Sequence, residues 1–422
     1  MTKRAKGIAA ALRVGSFAIV VIVHTQLVAS FPADGDRLPT APRSIRLVFS
    51  EPVEAALSTI VVVSARDSLE VPVRADSTDT RVLLGDLPPL APAVYRIDWR
   101  VVSADGHPVE GSYRFRVLPP TGAAEPAPAL DRRDPPARPH AAAGHAHAAP
   151  NLAAGVSAAL RGLAMFSLLV LAGWLLQLVA LGGEPPRGAQ HAALLLAVAA
   201  AVLLAAHFGA WLWHVTPSGR TPDVAAALRT IPGRVEAVRT GLALACVGAI
   251  AFVRRPGIAL ALAVAAVLVS GATGHAAGIA PRWAIPVKAL HLIGVAVWLG
   301  GVAWLALATL GSVSFRESAF QVSRMALGAV LVVGLTGVAQ AALFLPGPDA
   351  LLSSAYGRLV LAKAAGLAGL VAFGAYNRGR LLPALAAGAE PGALRGSTRR
   401  ELALMLAVSL VAGVLAYVPP PA

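Results

Sequence analysis

Between residues 156 and 418 the chain runs through eight apolar stretches, roughly 156–182, 189–214, 234–253, 257–279, 286–310, 322–345, 357–376 and 401–418. Each approaches the ~20 residues that a helix needs to cross the hydrocarbon of a bilayer. Lipid leaves no partner for an unpaired backbone group, so stretches of this kind can only become helices packed into a bundle. The composition agrees, with 56% of 422 residues hydrophobic and 14% charged, a balance that excludes an ordinary soluble enzyme and a disordered chain. The formal charge of +14 does not indicate nucleic acid, because Arg254, Arg255, Arg378, Arg380, Arg395, Arg399 and Arg400 sit between apolar runs, where they read as cytoplasmic anchors. Those loops are too short for a catalytic domain, and no Gly-x-x-x-x-Gly-Lys sequence accompanies them, so the chain reads as neither an enzyme nor a nucleotide-driven pump. Cys246 is the single cysteine, so metal chemistry must use His, Asp, Glu or Met.

What precedes the bundle has a different character. Lys3, Arg4, Lys6 and Arg13 flank a short apolar core, Ser16 to Val23, which makes 1–23 a secretory signal. Val23 is bulky for a cleavage site, and an uncleaved anchor is the alternative. From 24 to 118 the chain reads as short strands separated by Pro, Gly and Asp, at 45–50, 58–64, 81–85, 94–102 and 112–117. In the fourth, Tyr95, Ile97, Trp99 and Val101 alternate with Arg96, Asp98 and Arg100, the period of a strand with one buried face. A small extracytoplasmic β-sandwich is expected. Residues 119–154 are a Pro/Ala-rich tether whose His140, His145 and His147 read as solvated rather than as a metal site. With the sandwich outside, the first helix runs inward and every Arg-rich loop falls in the cytoplasm, as the positive-inside rule requires.

Within the sandwich, WRVVSADGHPVEG (99–111) sets Asp105 and His107 two residues apart at a Gly-containing turn, close enough to converge on one ion. Alone this is weak, since any turn favours Asp and Gly. His24 strengthens it: as a mature N-terminus it offers amine and ring nitrogen together, and with Asp105 and His107 it makes a tetragonal N/O set that suits Cu(II).

HTQLVASFPADGDRL, APRSIRLVFSEPV and WRVVSADGHPVEGSYRFRV together resemble the CopC copper-binding family over about 95 residues. The resemblance implies an Ig-like Greek-key sandwich in which His24, Asp105 and His107 bind Cu(II), with Glu51 as an outer or weak ligand. No Met lies between residues 24 and 118, so a second, Met-rich Cu(I) site is not expected. A histidine-brace oxygenase is a third reading, disfavoured by the Asp ligand.

Ionisable residues within spans are functional candidates, because burying them is costly unless they are paired or solvated. His207 and His214 lie on one face of the second span, roughly 10 Å apart along the axis. His275 lies near the outer end of the fourth span, His291 near the outer start of the fifth, and Lys363 about two turns into the seventh. All four histidines fall on the side facing the sandwich. The segment 287–301, YGRLVLAKAAG (356–366), Asn377–Arg378 and Arg400–Glu401 resemble the CopD membrane family over most of 155–418. That resemblance implies eight spans and copper passage or tolerance.

The expected protein is an extracytoplasmic β-sandwich followed by an all-α, eight-helix bundle in the bacterial cytoplasmic membrane. Its partners are copper and the lipid bilayer, with no nucleic acid and no nucleotide. The sandwich captures Cu(II), and His207, His214, His275, His291 and Lys363 are candidates for a path that passes copper inward. Export or tolerance, a tethered copper buffer, and a haem-binding electron-transfer bundle are the alternatives.

Overall fold

A computed structural model describes residues 25–119, 152–180, 186–217, 219–274, 282–308, 311–418 and 420–421. The signal segment with His24, the tether with its three histidines, and His275 lie outside the described residues.

The first unit contains nine strands, β1 (Leu27–Phe31), β2 (Arg37–Leu38), β3 (Ser44–Phe49), β4 (Thr59–Val63), β5 (Ser68–Val71), β6 (Val73–Ala75), β7 (Val82–Asp86), β8 (Ala93–Val102) and β9 (Pro108–Val117). They form two sheets, ordered β1-β3-β7-β6 and β2-β9-β8-β4-β5. The alternation read in the fourth expected strand is real, since Tyr95, Ile97, Trp99 and Val101 of β8 all point inward. They meet Ile45, Leu47 and Phe49 of β3 and Ile60 of β4, and the Trp99 and Phe49 rings pack edge to face at 5.3 Å. All five expected strands are present. The four that were not expected, β1, β2, β5 and β6, are the four sheet edges.

Among the described residues, eight long helices follow at the positions expected for the spans, with three short ones between them. They are α1 (Leu152–Ala180), α2 (Arg187–Val215), α3 (Val224–Arg229), α4 (Ile231–Gly248), α5 (Pro256–Ser270), α6 (Ala284–Leu307), α7 (Ser312–Phe344), α8 (Ala350–Ser353), α9 (Ala355–Tyr376), α10 (Leu382–Ala386) and α11 (Gly392–Leu415). Among the described residues, six helices are long and apolar enough to cross a membrane. The expected count of eight is therefore not reached: α5 has 15 residues, and the first three turns of α11 carry Arg395, Arg399, Arg400 and Glu401.

Small residues let α1 and α6 touch at the centre of the bundle. A Cβ on Gly173 or Gly300 would collide with the backbone of the facing helix. Trp304 is fully buried and packs edge to face on Trp174 at 4.8 Å. The start of α4 is fixed by Thr230, whose hydroxyl accepts from Gly233 N–H at 3.1 Å, with Pro232 in the first turn. That cap sets the depth of Glu236 and Arg239, one to three turns into the helix.

Candidate copper site and the polar chain beneath it

The loop between β8 and β9 is built so that its side chains share one point. Ser103 N–H donates to His107 O at 2.9 Å and Gly106 N–H to Ser103 O at 2.8 Å, which closes a tight turn. Gly106 takes φ +92° there, a left-handed conformation that favours glycine. His107 Nδ1 lies 2.9 Å from Asp105 Oδ2, and the other Asp105 oxygen accepts from the Ser103 hydroxyl. Ala104 N–H donates to Pro52 O at 3.0 Å, which ties this loop to the Ser50–Val53 segment and brings Glu51 alongside. Burial, and next the nearby Asp105 charge, push the Glu51 carboxyl up to about 7, while Thr25 and His107 pull it the other way. Thr25, the residue after His24, is itself buried and its hydroxyl donates to Glu51 at 3.1 Å. Two carboxylates crowded around an imidazole gain from a cation. Of the expected ligands, Asp105 and His107 are thus in contact and Glu51 lies within their electrostatic reach, while His24 lies outside the described residues.

The loop sits against the bundle. Trp211 on α2 donates from its indole Nε1 to Gly106 O at 3.1 Å, and Arg100 donates to His214 O at 3.1 Å. Val102 packs with Trp211, Leu212, Val215 and Ala227 in a small apolar cluster spanning the two units. Ile231 N–H, at the start of α4, donates to Glu54 at 3.0 Å, and Arg220 pairs with Glu70.

Below the contact a polar chain descends. The rings of His107 and His214 both lie on Tyr417, with centroids 5.4 and 5.9 Å from it. His214 Nδ1 is buried without a hydrogen-bond partner among the described residues. Tyr417 Oη contacts Ser157 and lies 3.3 Å from His207 Nε2, while His207 Nδ1 lies 3.1 Å from Glu236. Glu236 pairs with Arg239, which also donates to Met165 Sδ at 3.5 Å. Both nitrogens of His207 are thereby engaged.

Neither Tyr417 nor the Glu236–Arg239 pair figured among the sequence candidates. The pair had a readable signal, opposite charges three residues apart inside the third span. Tyr417 had none, being one aromatic at the end of the last helix. His291 and Lys363 are elsewhere, in a cavity of ≈ 220 Å³ between α1, α6, α9 and α11, and His291 Nδ1 lies 2.9 Å from Thr336 Oγ1. Among the described residues, no three His, Cys, Asp or Glu side chains in the bundle or the sandwich form a complete metal-binding group.

At the other end of the bundle Glu401 accepts from Trp298 Nε1 and from Asn377, both at 3.1 Å, and Ser397 donates to Asn377 at 2.5 Å. Trp298, Asn377 and Glu401 border a cavity of ≈ 280 Å³ that also reaches Arg378.

The CopC domain model matches residues 27–118, and the model for Copper resistance protein D matches residues 318–415, from α7 through α11. Protein YobA of Escherichia coli (strain K12) is 34% identical over 100 residues, which are 23% of this chain and 81% of that protein. Copper resistance protein C of Pseudomonas syringae pv. tomato is 33% identical over 102 residues, 22% of this chain and 80% of that protein. Copper transport protein CutJ of Bacillus subtilis (strain 168) is 26% identical over 423 residues, 94% of this chain and 74% of that protein, so its similarity runs through both units. With a CopC sandwich and a CopD helical unit in one multi-pass chain, this protein belongs to the CopC–CopD copper resistance and transport family.

Proposed function

We propose that the sandwich captures Cu(II) outside the cytoplasmic membrane with His24, Asp105 and His107, Glu51 standing beside them. We further propose that copper then moves into the bundle through His214 and His207. The observation that carries this reading is the seating of the Asp105–His107 loop on α2. His107 and His214 share the Tyr417 ring, and His214 Nδ1 is buried with no competing hydrogen bond among the described residues. A cation leaving two carboxylates finds an imidazole next, and the Tyr417 hydroxyl and His207 after that. Thr25 on Glu51 supports His24 as a ligand, because consecutive Cα atoms are only 3.8 Å apart. Glu401, at the cytoplasmic end, is a candidate exit group.

His291 and Lys363 belong to this route less well. Arg161 and Lys288 line the same cavity, and that charge repels a copper cation.

The test is total copper in cells that express the wild type, His107→Ala, a His207→Ala/His214→Ala double variant, or no protein, with equal membrane levels verified. Inward passage predicts a rise that both variants lose. A fall in copper with the wild type would assign the same residues to export, and no change in any strain would leave a tethered Cu(II) buffer.

A further inference from the structure

The cavity that holds His291 and Lys363 has a chemistry of its own. Arg161 on α1 donates from Nη2 to Thr273 Oγ1 at 3.2 Å. Lys288 on α6 donates to Thr273 O and lies 3.4 Å from the same Oγ1. Arg161 and Lys288 thus place a guanidinium and an amine around one hydroxyl oxygen, two groups that repel whenever both are charged. Their repulsion is strong in a medium of low dielectric, where salt screens little. Arg239 and Lys363 are also within electrostatic reach of Lys288, and among the described residues Glu236 is the one carboxylate that acts on it. Glu236 is already committed to Arg239 and His207.

The space beside the two cations is kept open by backbone chemistry. Gly274 follows Thr273 with φ +63°, and a Cβ there would lie 3.5 Å from Arg161 Nη2 and 3.9 Å from Lys288 Nζ. Glycine thus leaves a cradle faced by a guanidinium and an ammonium, continuous with the ≈ 220 Å³ cavity that Lys363 also lines. A planar fork of N–H donors beside point-charge ammonium groups matches an anion with several oxygens. Leu292, Val295 and Phe344 form an apolar wall that a chain attached to such an anion could occupy.

We propose that this cavity binds a phosphate-type oxyanion, either free phosphate or the phosphate of a lipid headgroup. The bound anion neutralises Arg161, Lys288 and Lys363 and holds α1, α6 and α9 together at their sandwich-facing ends. This inference is independent of the copper route.

The experiment uses the full chain in detergent after exhaustive removal of lipid. Radiolabelled inorganic phosphate is equilibrated with the wild type by dialysis. In parallel, thermal unfolding followed by tryptophan fluorescence is titrated with phosphate against chloride at equal ionic strength, and with dioleoylphosphatidylglycerol against dioleoylglycerol. A ligand that binds the folded state raises the midpoint in a saturable way. Saturable phosphate binding, or a saturable rise with the phospholipid over dioleoylglycerol, is expected. Lys288→Met and Lys363→Met are each expected to need at least tenfold more ligand, with Cu(II) binding by the sandwich unchanged. A response to inorganic phosphate identifies a free anion as sufficient, and a response to the phospholipid alone identifies the bilayer as the source. Absence of saturable binding by the wild type in both arms would overturn the proposal, as would equal responses in folded variants.

Discussion

The Asp105–His107 loop and the Arg161–Lys288–Lys363 cavity lie at the same end of the molecule, joined by the end of α11 that supplies Tyr417 to one and borders the other with Ala416. Their charges are opposite. The loop gathers Glu51 and Asp105 around an imidazole, whereas the cavity gathers an arginine and two lysines. The loop is a place for a cation and the cavity a place for an anion. Burial makes both imbalances matter, because a charge without a partner is costly where water is scarce. Between the two regions, Glu236 pairs with Arg239, whose guanidinium also lies 3.2 Å from His207 Nδ1. A copper route and an anion site can therefore share one end of a bundle only if the boundary between them is fixed.

The largest effect is expected at that boundary. Glu236→Ala leaves Arg239 buried and unpaired, and the loss is about 3–5 kcal/mol of stability, read as a lowered unfolding midpoint of the purified chain. A midpoint that does not move would show that the cationic side needs no balancing carboxylate, and the contrast would collapse. His107→Ala comes next. Loss of a ligand should weaken Cu(II) binding more than about 100-fold, since residues that merely orient ligands already cost 10–100-fold. Competition against a chelator measures it, and unchanged affinity would remove the loop from the copper account.

Two smaller effects sharpen the seating of the sandwich. Trp211→Phe deletes the indole donor to Gly106 O but keeps the ring, and about 1–2 kcal/mol of docking should be lost, visible as faster hydrogen exchange in the 103–107 loop. Equal protection would mean that the apolar cluster alone seats the loop. The last effect is Glu54, between the units, whose carboxyl is raised above its ordinary value chiefly by burial, with Ile231 N–H and Arg234 opposing. The docked state then holds more protons than the undocked one, so docking weakens as pH rises from the ordinary glutamate value through the raised one. Glu54→Gln should flatten that slope in a pH series of the same exchange measurement, and an unaltered slope would point to another group.

How far these regions were legible in the sequence differs between them. In the sandwich the five central strands announce themselves as β-rich runs bounded by turn residues, the fourth also by alternation, because both neighbours and one face constrain them. The edge strands β1, β2, β5 and β6 do not, since an edge pairs on one side only and carries exposed residues such as Val28 and Leu69. The Asp105–His107 contact was legible because the two residues are local, two positions apart on a turn. In the bundle the helices were legible from apolar length, but the membrane histidines were read as one set at one depth. His207 joins Glu236 and Tyr417, while His291 joins Thr336 beside a lysine-lined cavity. Equal depth in a bilayer says nothing about which sides of two helices meet.

The sequence by itself determined the two units, the buried face of β8, the apolar spans and the Asp105–His107 turn, because hydrophobic period, span length and turn chemistry act over a few neighbouring residues. Only the tertiary structure decided that Gly106 lies under Trp211, 105 residues away, and that the copper loop meets Tyr417. It also decided that Arg161 and Lys288 close on one threonine. Such meetings depend on how side chains interlock across α1, α2, α6 and α11, and no local pattern encodes which surfaces fit.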